Sequence, residues 1–168
     1  AAPTVAEERK EKVRACAVDS EHAEWLDRQI EALPPACLFG TSPRQIVDDL
    51  SRLRHLARDE ATAWGRYLDD RRAVEFIVGT YEQITRGIFH KLTGALTSHR
   101  LQILSAEINT LADGLVFDRF YVHDPDFDGP PPPERLSAVS ETLVEAIHDS
   151  SGGRPVFGRL WQTHQGTS

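Results

Sequence analysis

The chain has 168 residues, 40% hydrophobic and 27% charged, with 19 Lys and Arg against 26 Asp and Glu for a net charge of −7. That length suits one ordinary domain, or a small domain with appended helices, and the acidic balance argues against a non-specific nucleic-acid or anionic-membrane binder. No apolar run approaches the roughly 18 residues of a membrane span, and no signal peptide opens the chain. Two cysteines, Cys16 and Cys37, are too few for a disulfide scaffold, so a reducing cytoplasm is the expected compartment. Methionine is absent, as expected of a processed chain or a piece of a longer one.

Residues 1–31 read as one long polar helix, with Val13, Cys16, Ala17, Ala23, Leu26 and Ile30 at helical spacing. Pro34-Pro35 stops it. Ser42-Pro43-Arg44-Gln45 is a start signal, with Ser as the cap, Pro at the first helical position and Gln three residues after the cap. The helix that follows places Ile46, Val47, Leu50, Leu53 and Leu56 on one stripe; its expected end is near Asp59, with an extension through Trp64 and Leu68 to Asp69 left open.

From Arg72 the period changes. Residues 73–81 form a β-branched and aromatic strand, and Ile88, Leu92, Ala95, Leu96 and His99 mark a helix. Residues 101–110 read as a strand, Asp113-Gly114 as a tight hairpin turn, and residues 115–123 as the next strand, with Val116, Phe120 and Val122 on one face. Alternation puts Asp118 with that inward set, where it needs a backbone turn or an Arg as partner. An acidic loop with four consecutive prolines precedes an amphipathic helix through Leu136, Val139, Leu143 and Ile147, closed by Gly152-Gly153.

Strand, helix, strand, strand, helix is the first five elements of the ferredoxin-like βαββαβ unit. The sixth should be a strand, and residues 154–161, broken by Pro and Gly, are a weak candidate. Without it the strand 73–81 keeps an open apolar edge, to be covered by residues 154–161, the N-terminal helices or a second copy of the chain.

Motifs that carry catalysis are hard to find. The seven histidines lack HxxxH or HxH spacing, and no phosphate loop, dinucleotide fingerprint or nucleophile elbow occurs. His123-Asp124 and His148-Asp149 read as structural or solvated pairs. Asp124, Asp126 and Asp128 alternate as in a calcium loop, but the Gly and bidentate Glu of such a loop are missing and the proline run blocks its turn. Cys16 and Cys37 read as apolar filler. The loop 82–87 is more informative, because it leads from a strand into a helix N-terminus able to hold a small carboxylate, with Gly87 permitting close approach. The same residues also read as an ordinary turn capped by Thr85.

The segments 87–96 and 101–110, then Asp113-Gly114 and Phe117-Asp118-Arg119-Phe120-Tyr121-Val122-His123-Asp124, resemble an ACT domain, the amino-acid-sensing module of metabolic enzymes. Their rhythm, LxILSAxIxT…DG…DxFxVxD, is similar to the first ACT domain of the bifunctional uridylyltransferase/uridylyl-removing enzymes that modify the nitrogen regulatory protein PII. Upstream, Leu33-Pro34-Pro35, Phe39 and residues 41–50 are similar to that family's segment between its His-Asp hydrolase domain and the ACT domain. The two matches cover roughly residues 33–148.

The resemblance implies a cytoplasmic parent enzyme whose catalytic domains use Mg and UTP, and whose ACT domains sense glutamine. This chain would be the non-catalytic regulatory segment, with no cofactor of its own. By the same resemblance the ligand-binding residues are Glu82, Thr85, Arg86, Gly87, Ile88 and Gln102. The partners implied are an amino acid, first of all glutamine, together with PII, the parent's catalytic domains and a second copy joined through the sheet edge. Neither nucleic acid nor membrane is expected. The expected fold is therefore α+β, with a helical linker segment over 1–71, an ACT domain lacking its last strand over 72–150 and a flexible tail over 151–168. The alternative is an ACT-like dimerisation or protein-interaction module that binds no small molecule.

Overall fold

A computed structural model describes residues 2–18, 21–82 and 87–151, except for the side chains of residues 150 and 151. The fold is α+β, and the chain divides into two compact units: residues 1–56 with 111–113, and residues 57–110 with those from 114 onward.

The first unit is helical. Helix α1 (Val5–Ala15) opens on a capping box, in which the Thr4 hydroxyl accepts from the Glu7 N–H and the Glu7 carboxylate accepts from the Thr4 N–H, each at 3.0 Å. Helix α2 (Ala23–Glu31) follows after a break, so the single long helix expected over 1–31 is corrected to two. The first helix closes at its C-cap Cys16 and the second opens at His22. Pro34 caps the short α3 (Pro35–Phe39), and Ser42 caps α4 (Pro43–Ser51), its Oγ accepting from Gln45 N–H at 3.2 Å. These helices pack against one another and bury Val13, Leu26, Ile30, Leu38, Ile46 and Leu50. Arg9 donates to the Leu38 and Thr41 carbonyls at 2.8 Å, and Arg14 pairs with Glu11, Asp27 and Glu31.

Helix α4 ends at Ser51, and its open extension to Asp69 is corrected, because residues Thr62–Leu68 form strand β1. Trp64 and Leu68 do lie four apart. However, Gly65 between them disfavours a helix by about 1 kcal/mol, and Thr62, Trp64 and Tyr67 are strand formers. Strand β2 (Ala73–Tyr81) pairs antiparallel with β1 in register from Thr62↔Gly79 to Leu68↔Ala73. The expected domain boundary at 71/72 therefore falls inside one hairpin.

Helix α5 (Ile88–Ser98), β3 (Gln102–Glu107), β4 (Leu115–His123) and α6 (Pro133–Ser151) complete the second unit. The sheet order is β1-β2-β4-β3, antiparallel throughout. β2 thus lies inside the sheet, and the open edge expected at residues 73–81 is covered by β1, a segment that precedes the expected domain. The candidate sixth strand, residues 154–161, and the expected flexible tail after Ser151 lie outside the described residues.

One face of the sheet carries the core. Val74, Phe76 and Val78 of β2 and Phe120 and Val122 of β4 pack with Ile88, Leu92 and Leu96 of α5 and Val139, Leu143 and Ile147 of α6. The β3–β4 connection has positive φ at Asp113 (60°) and Gly114 (78°), but the tight two-residue turn expected there is corrected to a longer link, with a 3-10 turn at Ala112–Gly114. β3 is shorter than the expected strand 101–110, because the chain leaves the ladder after Glu107 and rejoins β4 only at an isolated bridge, Thr110↔Val116.

Candidate functional site

Of the residues expected to bind a ligand, Glu82, Gly87, Ile88 and Gln102 are described. Glu82 follows the last residue of β2, and its carboxylate stands over Gly114, where a Cβ would lie 2.8 Å from Oε2. Thr85 and Arg86 lie outside the described residues. Gly87 is the N-cap of α5, with φ 69° and ψ 18°, in the left-handed region that favours glycine. It is exposed, and nothing lies within 4 Å of the place a Cβ would occupy. As a glycine, the N-cap residue has no side chain of its own to close the α5 N-terminus. The Ile88 side chain turns into the core, leaving only its backbone for any ligand.

Gln102 stands elsewhere. It pairs with His123 at the C-terminal end of β4, whereas Tyr81, beside Glu82, pairs with Leu115 at the N-terminal end. The length of β4, about 26 Å at roughly 3.3 Å per residue, separates the two. Gln102 and Glu82 therefore stand at opposite ends of the sheet within one copy of the chain.

A second feature of this end of the sheet is Asp118. It lies opposite Val78, on the helix-covered side with Phe120 and Val122, as alternation requires. Its side chain is fully buried, and Oδ1 accepts the Asn109 N–H at 2.9 Å. That bond replaces the strand ladder where β3 ends, and Asn109 Nδ2 donates to the Phe117 carbonyl at 3.1 Å. Burial pushes the Asp118 carboxyl up to about 7, against a smaller opposing effect of the Asn109 N–H. The expectation of a backbone turn as its partner holds.

The opposite face of the sheet carries a charged row that the sequence reading did not identify. Arg66 Nε meets Glu75 Oε1 at 2.8 Å, Glu75 Oε2 lies 3.8 Å from Arg119 Nε, and Glu107 pairs in register with Arg119. Arg71 lies over the Tyr121 ring at 4.5 Å. Burial raises the Glu107 carboxyl and the Tyr121 phenol above their ordinary values. The cross-strand pairing could have been found only with the register in hand.

The acidic loop resolves into arginine partners. Asp124 pairs with Arg135 at 2.8 Å, Asp126 with Arg100 at 2.5 Å, and Asp128 with Arg72 at 3.6 Å. Among the described residues no group of three or more His, Cys, Asp or Glu is arranged to hold a metal, and no helix is long and apolar enough to cross a membrane. Neither Cys16 nor Cys37 forms a disulfide; Cys37 is buried and Cys16 partly so.

Neither protein-family models nor curated proteins give a match to this chain.

Proposed function

We propose that the second unit is an ACT-type, ferredoxin-like regulatory module that senses an amino acid, with glutamine the first candidate, within a PII uridylyltransferase/uridylyl-removing enzyme. The observation that carries this reading is Gly87, exposed and with a left-handed φ of 69° at the start of α5, where the sequence resemblance puts the ligand loop. The sheet order supports the fold assignment. In a ferredoxin-like sheet the strand that follows the second helix pairs with the first strand of the unit, and here β1 takes that edge from the preceding stretch of chain. On this reading the fragment is non-catalytic and cytoplasmic, and Mg and UTP belong to the parent's catalytic domains. Ligand occupancy controls those domains and their action on PII only through a difference in affinity between two arrangements.

A second reading, a dimerisation or protein-interaction module without a ligand, is favoured by β3. That strand ends the sheet, with Leu104 of β3 and the adjoining Ile108 about half exposed. Calorimetric titration with glutamine, with glutamate and serine as controls, combined with sedimentation over a concentration series, separates the two. Saturable glutamine-selective heat supports sensing. Calorimetric silence with concentration-dependent size supports assembly.

A further inference from the structure

We propose that the connection between β3 and β4 is a strap that couples the stability of the two units, with Gln29 the residue that fastens it to α2. Leu111, Ala112 and Asp113 belong to the helical unit, while the residues on both sides of them belong to the sheet unit. The coupling stands whether or not an amino acid binds.

Gln29 is a polar side chain on the apolar face of α2, fully buried like Leu26 and Ile30. A buried amide is costly unless its donor and its acceptor are both used. Here both are used on one residue 83 positions away. Gln29 Nε2 donates to the Ala112 carbonyl at 3.2 Å, and Gln29 Oε1 accepts the Ala112 N–H at 3.0 Å. The side chain thereby does for Ala112 what a neighbouring strand does for a ladder residue, at a point where the chain has left the β3–β4 ladder. Leu111, next to it, is buried. The Arg28–Asp113 pair at 2.9 Å is about half exposed on both sides and adds little.

The same stretch is fastened to β4 from the sheet side. The Asn109 N–H donates to Asp118 Oδ1 at 2.9 Å, the Asn109 carbonyl accepts the Phe117 N–H at 2.9 Å, and Thr110 bridges to Val116. The three steps of chain from Asn109 to Ala112 reach about 10 Å at full extension. With so little slack, freeing Asn109 from β4 gives Ala112 the mobility to leave Gln29. Freeing Ala112 from Gln29 in turn strands a buried amide in α2 and loosens the connection up to Asn109. Coupling of this kind is reciprocal, so a change of state in the sheet unit reaches the helices by this route, and the reverse.

The test is hydrogen exchange of the whole chain, read by mass spectrometry, in the wild type and in Q29L, N109A and R28A. Q29L removes both bonds to Ala112, and N109A removes the Asn109 Nδ2 bond to the Phe117 carbonyl at 3.1 Å. Q29L is expected to speed exchange about ten- to hundredfold both in α2 and α4 and in residues 109–114. N109A, altered on the sheet side, should speed α2 and α4 several-fold as well, whereas R28A should stay within about two-fold of the wild type. A Q29L effect confined to α2, or helices that exchange at the wild-type rate in N109A, overturns the strap. A larger effect of R28A than of Q29L overturns the role of Gln29. Should Q29L or N109A fail to fold, the wild type decides. With increasing urea the amides of α2 and of residues 111–113 should open together with one common dependence, and separate openings overturn the proposal.

Discussion

The Phe76 ring lies directly over Gly65, its partner across the β1–β2 ladder, so that a Cβ on Gly65 would stand 2.5 Å from Phe76 Cε1. Phe76 is itself 1% exposed and held in the core between sheet and helices, so the ring has little room to retreat. Gly65 therefore seats the edge strand that closes the sheet beside β2. Gly65→Val is expected to destabilise the second unit by about 1–3 kcal/mol through overpacking, read as a lower urea midpoint. Combining it with Phe76→Leu should cost less than the two changes added, because the smaller side chain makes room. Strict additivity would show that the ring and the glycine do not meet.

Asp118 makes stability depend on pH in a stated direction. Its carboxyl titrates near 7 in the folded chain against 3.8 ordinarily. Below the lower value both states are protonated and burial carries no ionic penalty. Between the two, the unfolded chain ionises while the folded chain holds its proton, so stability falls as pH rises, and the loss is complete above about 7. The full effect is on the order of 4 kcal/mol. Urea midpoints from pH 4.5 to pH 8 should fall in the wild type, and Asp118→Asn should remove this part of the slope. An unchanged slope in the variant would place the titration on another group.

How much of this was legible in the sequence depends on where local pattern and tertiary partner agree. β2 and β4 have the expected bounds, since their alternation and flanking turns point one way, and Ser42 caps α4 as its residue type requires. β1 was read as a possible helix because Trp64 and Leu68 mimic a helical stripe. Its strand state depends on pairing with β2, which no local period shows. The loop ending at Gly87 is a candidate from residue types, whereas the placing of Gln102 at the opposite end of β4 from Glu82 depends on register. The hold of Gln29 on Ala112 required coordinates.

Leu104 illustrates the same limit and gives a clean contrast. Its apolar type inside a strand marks it as a core residue, so that Leu104→Asp should unfold the domain. The ladder instead shifts register between Ile103 and Ser105, and Leu104 is 54% exposed. Leu104→Asp is therefore expected to change stability by less than about 0.5 kcal/mol, the ordinary range for an exposed position. Val122→Asp, at a fully buried position in the core between β4 and the helices, should abolish cooperative unfolding. Far-ultraviolet circular dichroism melts of the two variants check both, and a destabilised Leu104→Asp would mean that the bulge is absent in solution.

Arg135 is the residue on which the far end of this unit turns. Its Nε donates to Asp124 Oδ2 at 2.8 Å and its Nη2 donates to the His99 carbonyl at 2.7 Å, so one side chain on α6 ties down both the loop after β4 and the chain leaving α5. His99 Nε2 makes a further contact with Thr142 Oγ1 at 2.7 Å, and burial, with Arg135 nearby, lowers the His99 pKa. Asp124 is 6% exposed, so removing Arg135 leaves a buried carboxylate without its cation. Arg135→Ala is expected to cost about 3–5 kcal/mol, the range for breaking one side of a buried pair. Adding Asp124→Ala to it should recover part of the loss, since the stranded charge goes with it, while Arg135→Lys should retain only part of the wild-type stability because a single ammonium cannot reproduce the guanidinium fork. A double variant as unstable as the sum of its parts would show that the two side chains act independently, and that α6 is anchored by its apolar face alone.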